Sequence, residues 1–535
     1  MENITELFLV QTRFRIKEEI EKLDMSGYGV ALPMLAAYER SKGIVTKIYD
    51  PILNMDTYKN VLDKIKNVNP LVLGISRITT SYMEDVLEFI SDIRNIGYTG
   101  FIFLGGHAPS LEYEMILERC NGLDCVVIGE GEETIYELVN AVRTRQEWKN
   151  IDGIAYIEDE KVKTTRMRPL IQDLDELPFM ATDFLEELQL KHGKNVTAYL
   201  VSSRGCYKNC SFCSIAAYFD MFEGCRMRYR SVKSVFEEIK YLYQNYNIRK
   251  FCFWDDNFII PGKRGIERCR ELVELIKSLP EKISLELETR VDTISYEAIS
   301  LLKEGGLRHI HIGIESMIDR DLKLYNKGVT IKQNKEALNI LNELGYSTKV
   351  GSKYRIATYL ICFNPLTRLE DVETLLDFFK AYDISPKKQI SALQITNNTL
   401  IKEILKREGV TINKNNEWKF LDNRVEDIFI KYSNFVKDAM EKRDELRTVE
   451  KIKVFNENSK ILQQISSVRE CIDKQCTCCL ETLVKLHLDN KGKDYIEFEY
   501  QKSVQRFNRF LDEVMNMNVW KYIDKYNNIF MQENL

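Results

Sequence analysis

Short apolar runs alternate with longer amphipathic segments along the first 145 residues of the chain. Apolar runs bounded by polar or glycine-containing stretches are typical of buried strands, and apolar residues recurring three and four positions apart are typical of helices. The alternation predicts a doubly wound, parallel, Rossmann-like α/β sheet. The predicted strands lie at 7–10, 44–49, 71–76, 101–104 and 125–128, and the predicted helices near 32–42, 57–66, 82–96, 111–118 and 133–143.

A second series of strands and helices begins near residue 197. Its six short apolar strands, separated by helical segments, predict a partial (β/α)6 TIM-like barrel. These strands lie at 199–203, 250–254, 284–290, 309–314, 355–363 and 391–395. Between the two series, alternating residues at 154–157 and 161–165 predict a hairpin.

After residue 400 the pattern is helical, with segments at 400–407, 425–447, 460–469, 480–488 and 504–517. We therefore expect four parts. They are an α/β domain at 1–145, a hairpin and connector at 146–196, a partial barrel at 197–400, and a mostly helical region at 401–535 that caps the barrel.

Two barrel strands carry polar side chains at alternate positions. Because alternate residues of a strand share one face, we expect the polar sets to point into the barrel while the apolar sets pack on the outer helices. The sets are Glu286, Glu288 and Arg290 on one strand, and His309, His311, Gly313 and Glu315 on the next. A solvated substrate cavity and a buried structural ion-pair network both agree with this pattern.

Three cysteines follow the first barrel strand with the spacing C-x3-C-x2-C, at Cys206, Cys210 and Cys213, and Phe212 precedes the last of them. Three thiolates on one loop can hold three irons of a 4Fe–4S cluster and leave the fourth iron without a protein ligand. A zinc site would need a fourth ligand, and Cys225 lies outside the usual short pairings. The spacing favours the cluster over zinc or inert thiols.

This cysteine motif after a strand, with Phe212 at the aromatic position, resembles that of the radical S-adenosylmethionine (radical SAM) superfamily. The resemblance implies that SAM chelates the open iron and is cleaved to a 5′-deoxyadenosyl radical, which abstracts hydrogen from a substrate. It also implies SAM contacts at Asp255 and Asp256 for the amino group, at Arg290 for the carboxylate, and at Glu315 and Ser316. The segments YLICFNP and ITNNTL depart from the usual glycine and Pro-Gly positions.

The first domain resembles the cobalamin-binding domain that precedes many radical SAM modules. The matching pieces are 27–43, 74–82, 104–110 and 128–134, and the loops SRITT, GGHAPS and GEGEET fall at the carboxyl ends of predicted strands. The D-x-H-x-x-G segment, which supplies a histidine ligand in some cobalamin domains, is absent. His107 is the only histidine of this domain, and it either contacts the corrin or bonds loop backbone. The candidate contacts are Ser76, Thr79, Thr80, Gly105, Gly106, His107, Gly129, Glu130 and Gly131.

Together these resemblances imply a cobalamin-dependent enzyme that methylates an unactivated carbon through the adenosyl radical and methylcobalamin. Its cofactors would be the 4Fe–4S cluster, SAM and cobalamin. Ring formation, ring contraction or rearrangement without net methylation is the alternative, and a non-catalytic corrinoid- or metal-binding protein is the third. The expected partners are a small-molecule or peptide substrate and an electron donor such as flavodoxin or ferredoxin.

The composition of the chain limits the binding partners and the cellular compartment that we expect. A net charge of -5 across 535 residues gives no reason to expect nucleic acid or an anionic membrane. The N-terminal segment lacks the features of a signal peptide, and 13 cysteines are expected to be reduced thiols or metal ligands in a cytoplasmic protein. Four of them, Cys471, Cys476, Cys478 and Cys479, either hold a second metal site or pack within helices.

Overall fold

The structure is a computed structural model that describes residues 5–12, 28–79, 83–193, 196–349, 352–384, 391–451 and 459–515. It divides into two compact units. The first unit comprises Met1–His311, Asn326–Gly328 and Thr396–Lys402, and the second comprises Ile312–Tyr325, Val329–Ile395 and Glu403–Leu535. No helix among the described residues combines the length and apolar character of a membrane span.

The first unit begins with the predicted α/β sheet. Its parallel strands are β1 (Leu7–Gln11), β2 (Thr46–Tyr49), β3 (Val72–Ser76), β4 (Phe101–Gly105) and β5 (Cys125–Val127), in the order β2-β1-β3-β4-β5. Its helices are α1 (Ala31–Ser41), α2 (Pro51–Asn54), α3 (Tyr58–Val68), α4 (Met83–Asn95), α5 (His107–Arg119) and α6 (Glu132–Thr144). The doubly wound prediction is confirmed.

Burial on both faces explains why these strands read as continuous apolar runs. Every residue of β1 and of β3 is buried, as expected of a parallel sheet covered by helices on both sides. Each fully buried large apolar side chain contributes roughly 1.5–3 kcal/mol relative to exposure. Gly74 in β3 is required by packing, because a Cβ there would lie 2.3 Å from the Phe103 ring and 2.6 Å from Leu9.

The predicted hairpin is present, and it belongs to the same sheet. Strands β6 (Ile154–Glu158) and β7 (Lys161–Thr164) pair antiparallel, and β6 pairs antiparallel with β5. Asp159 and Glu160 both have positive φ, of 50° and 58°, as a type I′ hairpin turn requires. The sheet is therefore mixed at this edge. Helix α7 (Asp183–His192) follows.

The rest of the first unit contains the start of the barrel. Its strands are β8 (Thr197–Leu200), the short antiparallel pair β9 (Ser203–Arg204) and β10 (Arg228–Tyr229), then β11 (Lys250–Phe253), β12 (Ser284–Arg290) and β13 (Leu307–Glu315). Strands β8, β11, β12 and β13 are neighbours in that order. The helices are α8 (Ser214–Phe219), α9 (Val232–Tyr246), α10 (Lys263–Lys277) and α11 (Tyr296–Glu304).

The second unit begins at Ile312, partway along β13, and includes β14 (Arg355–Leu360), which is the neighbour of β13 in the sheet. Its helices are α12 (Asp319–Leu324), α13 (Ile331–Glu343), α14 (Leu369–Ala381), most of α15 (Leu400–Arg407), α16 (Asn423–Lys451), α17 (Ser459–Leu488) and α18 (Lys493–Met515). The helices predicted at 460–469 and 480–488 are one helix, α17. The C-terminal helical prediction is otherwise confirmed over its described residues.

The predicted sixth strand, 391–395, is reduced to a single bridge between Phe363 and Ala392 among the described residues. The fifth strand also ends at Leu360 rather than at 363. Backbone hydrogen bonds continue past Leu360, as from Ile361 N to Glu315 O at 2.7 Å, and the chain turns at Asn364, whose side chain accepts a hydrogen bond from Leu366 N at 2.8 Å. Such side-chain bonds compete with a strand ladder.

Candidate functional site

The cysteine loop, residues 205–213, follows β9 and ends where α8 begins. Gly205 opens it with a φ of 83°, and a Cβ there would lie 2.1 Å from the carbonyl oxygen of Arg226, so only glycine fits. The backbone N–H of Cys213 donates to Cys210 O at 3.1 Å, which closes a tight turn between two of the three cysteines. The loop therefore holds all three thiols on one short, constrained segment.

The thiols of this loop fit the cluster better than a zinc ion. All three are free thiols. Among the described residues, the one group of three ligand atoms within 4.8 Å of one another lies elsewhere in the chain, so these sulfur atoms do not converge on a single ion. A zinc ion would need that convergence, whereas a 4Fe–4S cluster places each thiolate on a separate iron.

The two aspartates predicted to contact SAM are placed differently. Asp255 is buried and accepts hydrogen bonds from Ser202 N at 2.7 Å, from Ser203 N at 3.1 Å and from the Ser202 hydroxyl, so it fixes the end of β8. Asp256 accepts from Gly205 N at 2.9 Å and lines the main cavity. Burial, with a smaller contribution from the neighbouring Asp255, raises the pKa of Asp256 to about 6.

Arg290 lies against the cysteine loop. Its Nη1 is 3.5 Å from Cys210 Sγ, its Nη2 donates to Lys327 O at 2.7 Å, and its Nε donates to Asp292 at 2.9 Å. Burial alone would lower the pKa of Arg290, but Asp292, Cys210 and Tyr207 together outweigh burial and the net shift is upward. The guanidinium is therefore a fixed positive charge beside a candidate cluster ligand.

Three further candidates are located as follows. Phe212 is half-buried within the cysteine loop. Glu315 and Ser316 belong to the second unit, where Glu315 has a left-handed φ of 63° and Ser316 is buried. The Ser316 hydroxyl accepts from Ile318 N at 3.1 Å, just before α12. Within its own unit Ser316 thus acts as a turn-stabilising residue.

A cavity of about 330 Å³ opens at the carboxyl ends of β1, β3, β4 and β5. Its floor includes seven of the residues predicted from the cobalamin resemblance, namely Ser76, Gly105, Gly106, His107, Gly129, Glu130 and Gly131. Its opposite wall comes from the cysteine-loop region, namely Val201, Ser203, Arg204, Ile215, Tyr218, Phe219, Trp254 and Asp256. Both walls lie in the first unit, so the sheet shares one cavity with the segments on either side of the cysteine loop, although residues 205–213 do not line it themselves.

The position of this cavity agrees with the topology of the sheet. In the order β2-β1-β3-β4-β5 the connections reverse between β1 and β3, and doubly wound sheets bind ligands at that point. Gly106 has a φ of 116° and leaves no room for a Cβ, which would lie 2.2 Å from Arg77 O. Glycine backbone and apolar side chains fit a large flat ring system such as corrin.

Of the two threonines predicted for this site, the structure describes only Thr79. Thr79 is exposed and is not a lining residue, and its carbonyl oxygen accepts from Arg77 Nε at 3.1 Å. Thr80 lies outside the described residues. Of the SRITT loop, Ser76 and Ile78 line the cavity.

His107 corrects the prediction for the GGHAPS segment. The segment was expected to be a loop with a helix from residue 111, but His107 is the first residue of α5 and Gly106 is its N-cap. The His107 ring packs on Tyr218, with 4.1 Å between centroids, and lines the cavity. Burial lowers the pKa of His107 to about 4, so the imidazole is neutral at ordinary pH.

A buried ion-pair network, absent from the sequence analysis, joins the end of the α/β sheet to β9 and β10, the two short strands on either side of the cysteine loop. We call Glu130, Glu132, Arg204 and Arg228 the Glu130 network. Arg204 Nη1 lies 2.9 Å from Glu130 and its Nη2 lies 2.5 Å from Glu132, while Arg228 Nη1 lies 2.8 Å from Glu130. Glu130 also accepts from Ile171 N at 2.7 Å. Glu130, predicted as a cofactor contact, is thus engaged mainly with two arginines.

One part of the polar faces predicted on the barrel strands forms a compact cluster. Glu286 Oε1 lies 3.0 Å from His309 Nδ1 and 2.7 Å from His311 Nε2, so the two strands do pair their polar side chains.

The four cysteines within residues 471–479 are divided between two environments. They lie on α17, where Cys476 and Cys479 are buried and Cys471 and Cys478 are exposed, so the helix separates them into two pairs.

Comparisons with known proteins agree with this geometry. A Radical SAM superfamily profile matches residues 200–379, and a B12 binding domain profile matches residues 20–139. The uncharacterized methyltransferase PH0819 of Pyrococcus horikoshii is 33% identical over 359 residues, covering 67% of this chain and 74% of that protein. The anaerobic magnesium-protoporphyrin IX monomethyl ester cyclase of Cereibacter sphaeroides is 26% identical over 308 residues, covering 56% of this chain and 49% of that protein.

A solved structure also shares the fold. The cobalamin-dependent S-adenosylmethionine radical enzyme OxsB, with aqua-cobalamin and S-adenosylmethionine bound, superposes with a TM-score of 0.76 at 18% identity, covering 96% of this chain and 80% of that one. The sequence matches and the shared cavity lead to the same family. The chain belongs to the radical SAM superfamily, among its members with a B12-binding domain, and its cofactors are a 4Fe–4S cluster, S-adenosylmethionine and cobalamin.

Proposed function

We propose that this protein is a cobalamin-dependent radical SAM methyltransferase that methylates an unactivated carbon. The observation that carries the proposal is the single cavity walled by the carboxyl ends of the α/β sheet and by the cysteine-loop region. When bound, the cofactors supply a hydrogen-abstracting radical on one side and a methyl group on the other. Methylation needs both at one substrate carbon, and a shared cavity supplies that proximity.

The cysteine loop holds the cluster in this proposal. Cys206, Cys210 and Cys213 are its three protein ligands, and Arg290 places a positive charge 3.5 Å from the Cys210 sulfur. That charge stabilises a thiolate and offsets part of the negative charge that three thiolates bring. Asp255 acts as a positioning residue, because its carboxylate fixes the backbone from which the loop departs.

The remaining lining residues bind and orient the other two cofactors. Asp256 lies in the cavity, where its carboxylate can accept hydrogen bonds from the amino group of SAM. The glycines at 105, 106 and 129 allow the corrin ring to approach the backbone closely. Tyr218, Phe219 and Trp254 supply apolar walls that exclude water from a site where a radical forms.

Product analysis tests the proposal. Anaerobic incubation of the reconstituted protein with SAM, a reductant, cobalamin and candidate substrates should yield both 5′-deoxyadenosine and S-adenosylhomocysteine. Changing Cys206, Cys210 or Cys213 to Ala should remove the cluster and abolish deoxyadenosine formation, because each removes an iron ligand. Cys225→Ala is the matched control, since Cys225 is an exposed thiol in the same region. Deoxyadenosine formation that survives in a loop variant would contradict the proposal.

Ring formation or rearrangement without net methylation is the second candidate. The cyclase among the relatives favours it, although the match spans only 49% of that protein. This reaction consumes SAM for the radical alone, so it predicts deoxyadenosine without S-adenosylhomocysteine. Formation of neither product would instead indicate a non-catalytic corrinoid-binding protein.

The remaining parts of the proposal concern partners and compartment. The substrate is a small molecule or a peptide, and the cluster receives its electron from a flavodoxin or a ferredoxin in the cytoplasm. The absence of a strong net charge supports a partner other than nucleic acid. Activity that depends on added flavodoxin or ferredoxin, measured as deoxyadenosine formed per minute, tests the electron donor.

A further inference from the structure

A cluster of two histidines and one glutamate lies on the barrel sheet, apart from the cavity described above. Glu286 is on β12, and His309 and His311 are on the neighbouring β13 at alternate positions, so the three side chains share one face. The ligand atoms of these side chains all lie within 4.8 Å of one another, which holds for no other group of three His, Cys, Asp or Glu residues among those described. None of the three residues lines the cofactor cavity.

The spacing of the three ligand atoms is close to that of a metal site. Ligand atoms around one tetrahedral ion with bonds of about 2.0–2.1 Å lie roughly 3.3 Å apart. Glu286 Oε1 is 3.0 Å from His309 Nδ1 and 2.7 Å from His311 Nε2. Small side-chain rotations that open these two distances by roughly 0.3–0.6 Å would bring Glu286 and each histidine to that separation. The imidazole rings already lie side by side, with 4.2 Å between centroids.

The donor set also matches the chemistry of first-row transition metals. Two imidazoles and one carboxylate are the ligands of catalytic zinc sites and of the 2-His-1-carboxylate iron sites. The carboxylate offsets one of the two positive charges of the ion, which lowers the cost of holding it inside the protein. Hard cations such as Mg²⁺ and Ca²⁺ prefer oxygen ligands, so a site with two nitrogen donors disfavours them.

The cluster is accessible as well as preformed. The side chains of Glu286, His309 and His311 retain 34%, 17% and 22% of their exposure, so an ion can enter and keep water in its remaining positions. Three protein ligands with an open position are typical of catalytic or substrate-binding metal sites rather than of closed structural ones. We propose that Glu286, His309 and His311 bind one divalent first-row transition metal ion, separate from the 4Fe–4S cluster, with an open coordination position. This inference does not rest on the proposed methyltransferase activity.

Zinc binding to the full-length, cluster-reconstituted protein tests the proposal. Titration with Zn²⁺ should reveal one bound zinc per chain while the iron content stays constant. Zinc-edge X-ray absorption of the loaded protein should then show imidazole scattering from two histidines and no sulfur scatterer. Sulfur scattering would overturn the proposal, because it would place the zinc on cysteines. Absence of stoichiometric zinc would overturn it as well.

Three variants and a matched control localise the site. Glu286→Gln, His309→Ala and His311→Ala should each weaken zinc binding at least about 100-fold, since loss of a residue that only hydrogen-bonds to a metal ligand already costs 10–100-fold. His487→Gln is the control and should leave zinc affinity unchanged, because His487 pairs with Asp427 at 2.9 Å and belongs to no three-ligand group among the described residues. Unchanged iron content shows that a variant still folds. Wild-type affinity in a folded His311→Ala protein would overturn the assignment.

Discussion

Replacing Glu130 by Gln tests the Glu130 network, because it removes one charge from two buried arginines with little change in shape. The side chains of Glu130, Arg204 and Arg228 are only 7%, 12% and 2% exposed. One guanidinium nitrogen of each arginine donates to Glu130, Arg204 Nη1 to one oxygen at 2.9 Å and Arg228 Nη1 to both oxygens at 2.8 and 3.0 Å. The interaction of each such nitrogen with a charged group contributes about 1.5–3 kcal/mol. The sum agrees with the 3–5 kcal/mol typical of breaking a buried ion pair.

We therefore expect Glu130→Gln to lower the free energy of unfolding by about 3–5 kcal/mol. Urea unfolding followed by far-ultraviolet circular dichroism measures the change. Glu281→Gln is the matched control. The Glu281 side chain is 67% exposed and pairs with Arg249 at the surface, and such surface pairs contribute about 0–1 kcal/mol. A loss below about 1 kcal/mol in Glu130→Gln would refute the reasoning, since the network would then be no stronger than a surface pair.

The same variant should change the pH dependence of stability. Burial alone would raise the pKa of Glu130, but Arg204 and Arg228 outweigh it and hold the pKa below its ordinary value. A carboxylate with a depressed pKa stabilises the fold above its unfolded pKa of about 4.3, and that contribution is lost as the pH falls through the folded pKa. Wild type should therefore lose more stability than Glu130→Gln between about pH 5 and about pH 3.

Two other substitutions address the cofactor sites. Gly106→Ala combines a φ of 116° with a Cβ 2.2 Å from Arg77 O, so it should destabilise the fold by about 1–3 kcal/mol and reduce bound cobalamin, measured by absorbance. Gly43→Ala, also at positive φ but in open space, should leave cobalamin binding unchanged. Asp255→Asn should reduce cluster iron per chain, because it removes the charge that accepts three hydrogen bonds at the base of the cysteine loop. Full iron content in that variant would contradict the positioning role.

Periodicity and motif spacing predicted much of this molecule because both are local. The strand alternation placed Glu286, His309 and His311 on polar faces, and the structure brings them together across neighbouring strands. Ser76, Gly105 and Gly129 were placed at strand ends, where parallel strands bring their carboxyl termini to one edge. Such predictions succeed because backbone geometry alone decides them.

Other features depended on distant parts of the chain. Arg228 and Glu130 are 98 positions apart, and no local pattern indicates that they meet. The hairpin was predicted, but its pairing with β5 is a tertiary contact. For α5 a local signal did exist, since proline at 109 is tolerated in the first turn of a helix, and it would have extended the helix back to His107.

The central claim is that cobalamin and the cluster act on one shared cavity. A crystal structure of the reconstituted protein with cobalamin and SAM tests it most directly. The account predicts corrin against Ser76, Gly105 and Gly129, facing a cluster held by Cys206, Cys210 and Cys213. Corrin bound away from this cavity, or a cluster held by other cysteines, would contradict it.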